Sequence, residues 1–291
     1  MLEAASPSLP VLDLQLGEAE FEFLRAVVEE NAGIVLGPSK RQLIQGRLGR
    51  RVRELRLGSF EEYCERVREA GPEELVALIN AITTNVTSFF RESHHFESLA
   101  EYMLPEAMER NAAAKKIRIW SAGCSSGEEP YSIAMVAAER VPAEKHWDLK
   151  ILATDIDTDI VNSAAQGVFP LERMESVSEG RRRRWFCKGV GAQSGFARVR
   201  PQLASMIAFV QLNLLADWPM RGPFDVIFCR NVMIYFDSHM RDRILHRFAA
   251  LLADGGYLCL GHSESIQSHE HGLRLVGRSI YQKTGARAHV G

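Results

Sequence analysis

The sequence is short of the features that would place it at a glance. It has no excess charge of either sign: 35 Lys and Arg against 37 Asp and Glu leave −2 at pH 7. That excludes general nucleic-acid affinity, which needs a basic surplus. Its five cysteines, Cys64, Cys124, Cys187, Cys229 and Cys259, are odd in number and never spaced CxxC. They imply neither a disulfide framework nor a zinc site, and a cytoplasmic location is expected. No apolar run reaches the ~18 residues of a membrane span, so no membrane insertion is expected. The first residues lack a basic stretch leading into an apolar core, so no secretory signal is read there. His94 and His95 read as helix-surface residues without a ligand partner at metal spacing, so no metal is expected.

What is present suits a globular protein with a large core: 291 residues, 46% hydrophobic and 25% charged, enough for one large domain and a smaller one. The organising stretch starts at Ile117. An apolar run ends in the small residues Ser121 to Gly127, and Glu128-Glu129 then open an apolar-periodic helix. This is a buried strand, a tight turn and a helix start. Gly123 and Gly127 let a ligand lie against bare backbone, and free N–H groups at the helix start face it. A second unit follows: strand 149–153, closed by Asp155, then helix. Two such units predict a parallel, doubly wound sheet with ligands at the carboxyl ends of its strands. Asp155, about 30 residues past the glycine turn, stands where such folds hold ribose hydroxyls, which favours an adenosine-containing ligand.

In chain order, residues 1–16 read as a flexible lead-in and 17–82 as a small all-helical domain. Its second helix buries Ile44, Leu48, Val52 and Leu55 and presents Lys40, Arg47, Arg50, Arg51 and Arg53, a surface suited to an acidic partner. Residues 83–100 form a polar-aromatic linker in which Phe89 and Phe90 pin the chain while Arg91 projects. The remainder, 101–291, is the α/β domain. Within it, about 179–213 reads as an antiparallel insert of short strands, including 207–212, joined by a Gly-rich loop. Its exposed edge can accept a peptide strand. A further strand, Phe224–Phe228, leads into an apolar turn carrying Tyr235, and 273–283 forms a closing hairpin.

Six segments, in order, carry a resemblance: TTNVTSFFRE at 83–92, IWSAGCSSGEEPYSIAM at 119–135, LATDID at 152–157, NLL at 213–215, FDVIFCRNVMIYFD at 224–237 and GHSE at 261–264. Together they resemble the CheR family, the glutamate O-methyltransferases of chemotaxis receptors. The first strand ends in Trp120-Ser121 rather than the acid usual in methyltransferases, which is the family's own form. The resemblance implies a class I S-adenosylmethionine (SAM) methyltransferase domain, Rossmann-like, with S-adenosylhomocysteine as product. It implies cofactor contacts from Asn85, Thr87, Arg91, Gly123, Glu129 (rather than Glu128), Asp155, Asn213, Leu214, Arg230 and Asn231. Arg91 and Tyr235 would orient the reacting groups. The implied partner is the cytoplasmic helical domain of methyl-accepting receptors, with a receptor-tail pentapeptide at the insert, and the basic second helix matches the receptor-facing surface.

Three other readings are weighed. Another SAM enzyme would act on a small molecule or RNA; an RNA enzyme would show basic excess and, for base amino groups, an Asn-Pro-Pro-aromatic turn where this chain has Arg230-Asn231-Val232-Met233. A nicotinamide dehydrogenase would want GxGxxG in place of Ala-Gly-Cys-Ser-Ser-Gly. A non-catalytic SAM- or nucleotide-binding sensor would share the fold.

Overall fold

A computed structural model describes residues 14–69, 71–266 and 271–285. The chain forms two compact units, Met1–Thr83 and Thr84–Gly291.

The first unit is helical: α1 (Glu18–Ala32), α2 (Arg41–Glu54), α3 (Phe60–Glu69) and α4 (Pro72–Ile82). Gly33 ends α1 in the left-handed conformation, φ 67°. Ser59 Oγ accepts from the N–H of Glu62, whose carboxylate accepts in return from Gly58 N, a capping arrangement that starts α3. The 3.6-residue stripes converge: Phe21, Leu24 and Val28 of α1 are buried, as are Ile44, Leu48 and Val52 of α2.

In the second unit, α5 (His94–Ser98) runs through a π-turn at Leu99–Met103 into α6 (Leu104–Arg110). Pro105, which has no N–H to give to the preceding turn, sits where the helix loosens. There follow β1 (Lys116–Ala122), α7 (Glu128–Arg140), β2 (Asp148–Asp155), α8 (Thr158–Gln166), β3 (Val168–Pro170), α9 (Glu179–Trp185), β4 (Phe186–Lys188) and β5 (Phe196–Val199). The chain continues through α10 (Pro201–Ala204), β6 (Ile207–Gln211), β7 (Phe224–Cys229), α11 (Ser238–Leu251), β8 (Leu252–Leu260), β9 (Leu273–Gly277) and β10 (Ile280–Lys283).

Among the described residues the main sheet has seven strands in the order β6-β2-β1-β7-β8-β10-β9. β6 to β8 run parallel, and β10 and β9 close the edge antiparallel. From β1 the chain winds outward through β2 to β6, then returns to β7 and winds the other way. The switch point between β1 and β7 is where such sheets bind ligands. β1 is covered on both faces by alternation: Ile117 and Ile119 belong to one apolar cluster, Trp120 and Ala122 to the other. Trp120 is fully buried, edge-on to Trp218 and Phe248, with its indole N–H donating to Thr154 Oγ1.

The antiparallel insert exists but is composed differently from the expectation. A three-stranded sheet, β3-β5-β4, is made by 168–170, 196–199 and 186–188. The strand at 207–211 does not belong to it. The helical turn α10 redirects the chain, and β6 pairs parallel with β2, from Ile151 beside Ile207 to Asp155 beside Gln211. Alternation reports an extended strand but not its partner. β3 escaped notice because three residues ending in Pro170 carry almost no pattern. The charge run Arg181–Arg184 forms most of α9, capped by Ser178 Oγ.

Candidate active site

The carboxyl ends of the five parallel strands gather most of the motifs. The loop after β1 is bound to β2: the N–H groups of Gly123 and Cys124 both donate to Thr154 O, at 2.7 and 2.8 Å. A side chain at Gly123 (φ 92°) would place Cβ 2.3 Å from Val232 Cγ2, so glycine alone fits there. At Gly127 (φ 99°) Cβ would lie 3.0 Å from Ala164 Cβ.

β1's alternation turns Ser121 to the face covered by α7. Its hydroxyl donates to Glu129 Oε1 at 2.7 Å, while Arg230, at the end of β7, donates to Glu129 Oε2 at 2.9 Å. Arg230 also donates to the carbonyl of Arg91 at 2.5 Å and lies 3.4 Å from Glu92. One buried guanidinium therefore serves two carboxylates and ties the segment after residue 84 to β7. Burial raises the Glu129 carboxyl above its ordinary range, with Arg230 and Ser121 opposing. Glu92 ends below its ordinary range: burial opposes its charge, but the His262 hydrogen bond at 3.0 Å and Arg230 outweigh it. Glu128 faces elsewhere, into Ser126 at 2.6 Å and an ion pair with Arg173.

At the end of β2, Asp155 accepts from the amides of Ser125 (2.8 Å) and Asp157 (3.2 Å). Burial raises its carboxyl, against those amides. An ionised carboxylate has about four acceptor positions, so two amides leave capacity for ligand hydroxyls. Asp157 caps α8 by accepting from Asp159 and Ile160, and Asn85 Nδ2 donates to it at 2.8 Å. Ser125 Oγ donates to the Asn85 carbonyl at 3.0 Å. Asn85 is thereby stitched to both loops. Thr87 is half-buried beyond it. Half-buried Arg91 donates to Val86 O at 2.8 Å. Phe89 packs edge-on against Phe169 and Phe186 of the insert, and Phe90 N donates to Ser132 Oγ.

After β6, Asn213 Oδ1 accepts from Leu215 N at 2.9 Å, and the carbonyl of buried Leu214 accepts from Trp218 and Arg247. After β7, Asn231 sits at φ 60° and leads to half-buried Tyr235 in a turn, Met233–Tyr235. Glu264, after β8, holds this loop: its carboxylate accepts from Asn231 N (2.9 Å), Gly261 N (2.7 Å) and Ile234 N (3.2 Å). Four non-glycine residues here are left-handed: Phe90, Glu92, Ser125 and Asn231, at φ 55, 56, 49 and 60°. Each costs of order 1 kcal/mol or more and persists only where its surroundings fix it.

Sequence reasoning missed Ser121, Asp157, Glu92 and Glu264 as members of this network. All four sit inside the segments that carry the resemblance, but the partners of Glu92 and Glu264 lie far away in the chain. His95 corrects an expectation: it is buried against Phe228, not on a helix surface. Glu92 also stands beside both histidines, each offering a donor atom within 4.8 Å of the others. Arg230 lies 3.4 Å from that carboxylate and His262 hydrogen-bonds it at 3.0 Å.

A rim that offers buried carboxylates, glycine-walled loops and helix-start amides fits an adenosine cofactor bearing a cationic sulfonium, which defines a SAM-dependent methyltransferase of class I. The family comparison agrees, matching the all-alpha domain of CheR methyltransferases over residues 19–83 and their SAM binding domain over 85–281. The chain belongs to the CheR methyltransferase family, with SAM as methyl donor. Among relatives it is similar to chemotaxis protein methyltransferase 2 of Pseudomonas aeruginosa, 45% identical over 90% of this chain and 92% of that one. The chemotaxis protein methyltransferase of Escherichia coli is 42% identical, covering 92% of each chain. That of Borreliella burgdorferi is 37% identical over 94% of this chain and 96% of its own. No described helix is long and apolar enough to cross a membrane.

Proposed function

We propose that the chain methylates glutamate side chains on the cytoplasmic helices of chemotaxis receptors, forming methyl esters, and that it works in the cytoplasm, recruited to membrane receptors. The observation that carries the reading is the gathering of five strand ends into one rim whose buried carboxylates outnumber its buried cation. Glu92 and Glu129 share Arg230, and Asp155 accepts from backbone amides.

In this reading Asn85, Thr87, Arg91, Gly123, Glu129, Asp155, Asn213, Leu214, Arg230 and Asn231 hold the cofactor. When bound, it supplies an electrophilic methyl group on a positive sulfur. A glutamate carboxylate, with an ordinary pKa of about 4.3, arrives already ionised and needs no general base. The protein's work is therefore placement, in a site that excludes water. Arg91 can fork to a carboxylate, and Tyr235 can donate to the oxygen that is not attacking. The hydrogen-bonded carboxylates of Asp157, Glu264 and Glu92 keep these loops in their left-handed turns before ligand arrives.

The exposed cations of α2 would meet the acidic receptor helices. The edge strand β4, with Cys187 and Lys188 exposed and Val190 beyond it, would take the receptor tail as an added strand. Calorimetric titration with SAM and S-adenosylhomocysteine, followed by release of base-labile radiolabelled methanol from receptor membranes, tests the reading. Binding without transfer to any receptor would leave a SAM-binding sensor instead.

A further inference from the structure

The titratable cluster on α11 lies outside everything assigned above. Asp242 and His246 stand four residues apart on that helix, hence on one face. His271, just before β9, meets them from another part of the chain. Its Nε2 lies 2.9 Å from Asp242 Oδ1, and His246 Nδ1 lies 3.5 Å from Asp242 Oδ2. The two imidazole rings cross at 76° with centroids 4.1 Å apart. Each of the three residues offers a donor atom within 4.8 Å of the others.

What separates this group from a chance surface cluster is His271. Its side chain is 1% exposed, and neither ring nitrogen has a hydrogen-bond partner among the described residues despite the close approach to Asp242. Buried ring nitrogens nearly always find partners, so an orphaned imidazole beside a carboxylate and a second imidazole wants an explanation. The nearby arginines do not supply one. Arg241 donates to Asp237 O, Arg243 to Leu215 O, and Arg247 to Leu214 O and Ala216 O.

We propose that Asp242, His246 and His271 bind a divalent transition metal of the zinc class, clamping α11 to the chain entering β9. Two borderline imidazole nitrogens with one hard carboxylate oxygen make a donor set that suits zinc, cobalt or nickel better than magnesium or calcium. Small side-chain rotations bring such donors to bonds of about 2.1 Å, with water completing a tetrahedron. The Glu92, His94 and His95 cluster serves as the internal contrast, because Arg230 stands against it as a competing cation.

Equilibrium dialysis of the tag-free full chain against zinc should give one ion per chain. His246→Ala, which removes a half-exposed side chain and spares the fold, should weaken binding at least about tenfold. Asp242→Asn and His271→Gln should do the same, while His94→Ala should retain the ion. Zinc should raise the melting temperature of the wild-type chain and leave that of His246→Ala unmoved. Wild-type protein that stays metal-free in excess zinc overturns the proposal, leaving an ion pair only. So does undiminished binding by His246→Ala, or loss of the ion in His94→Ala.

Discussion

Arg230 in the second unit and the arginines of α2 in the first are the same side chain in two settings. Arg230 is buried, reaching Glu129, Glu92 and the Arg91 carbonyl at once. Along α2 the cations divide. Arg51 forks onto the buried Glu74 at 3.1 and 2.8 Å, and Arg47 donates to the carbonyls of Ile82 and Thr83. Lys40, just before α2, and Arg50 and Arg53 stay exposed, Arg50 paired with its helical neighbour Glu54. A charge held in low dielectric by fixed partners organises a site, whereas one in water is free to meet a partner and is screened by salt. The basic face read from the sequence is therefore narrower than its composition: of Lys40, Arg47, Arg50, Arg51 and Arg53, Arg47 and Arg51 hold the unit together.

The sharpest way to break this contrast is to remove Arg230. Arg230→Met should cost about 3–5 kcal/mol in denaturant unfolding, because it leaves Glu129 and Glu92 buried without their counter-charge. A loss inside experimental error would mean the cation is not organising the rim. Adding Glu129→Gln to that variant should recover part of the stability, as expected for directly coupled groups. Next in size is Arg91→Ala. Its side chain is half-exposed and donates to a carbonyl five residues away, so stability should move little. Methyl transfer to receptor membranes should fall by about 10²-fold or more, the scale of misplaced reactants. Transfer at near wild-type rate would remove Arg91 from the site.

Most of the architecture was legible because it is local. The β1 turn reads directly from small residues between an apolar run and paired acids. The parallel sheet follows from a second strand–turn–helix unit, and the closing hairpin from its spacing. What escaped was pairing at a distance. Ile207–Gln211 is extended by pattern, but its place beside β2 depends on α10 redirecting the chain. Arg51 and Arg47 belong to one basic stripe in sequence, and only the return of α4 converts them to structural ties. Glu264 is a serine's neighbour in a short polar turn until the fold brings three amides of two loops onto it. Such residues carry no periodicity, and chemistry alone does not announce them.

His95 sharpens the contrast along the pH axis. Burial, with Arg230 and His94 nearby, pushes its imidazole down to about 3. The unfolded chain accepts a proton near pH 6.5 that the folded chain refuses, so stability is full above that pH and declines as pH falls. The slope should approach about 1.4 kcal/mol per pH unit between 6.5 and 3. Glu92, lowered in the folded state, adds loss of the same sign at acid pH. Glu129 and Asp155, both raised, act the other way, but only where carboxylates titrate. Between pH 6.5 and 5 the histidine should dominate, and His95→Leu should flatten the stability profile there. An unchanged slope would place the loss elsewhere.

The smallest effects belong to the exposed cations, and they are the ones that test partner recognition. The triple variant Lys40→Ala, Arg50→Ala, Arg53→Ala should leave stability within about 0.5 kcal/mol, as surface changes do. Methylation of receptor helices by this variant should show KM raised several-fold with kcat kept, the difference fading at high salt as the Debye length shrinks. Arg51→Ala should behave oppositely. It strands the Glu74 carboxylate and should cost about 1–3 kcal/mol while shifting KM less. If the triple variant methylates receptor normally at low salt, the receptor does not dock on this face. If Arg51→Ala matches it in both measurements, the division between structural and free cations along α2 fails.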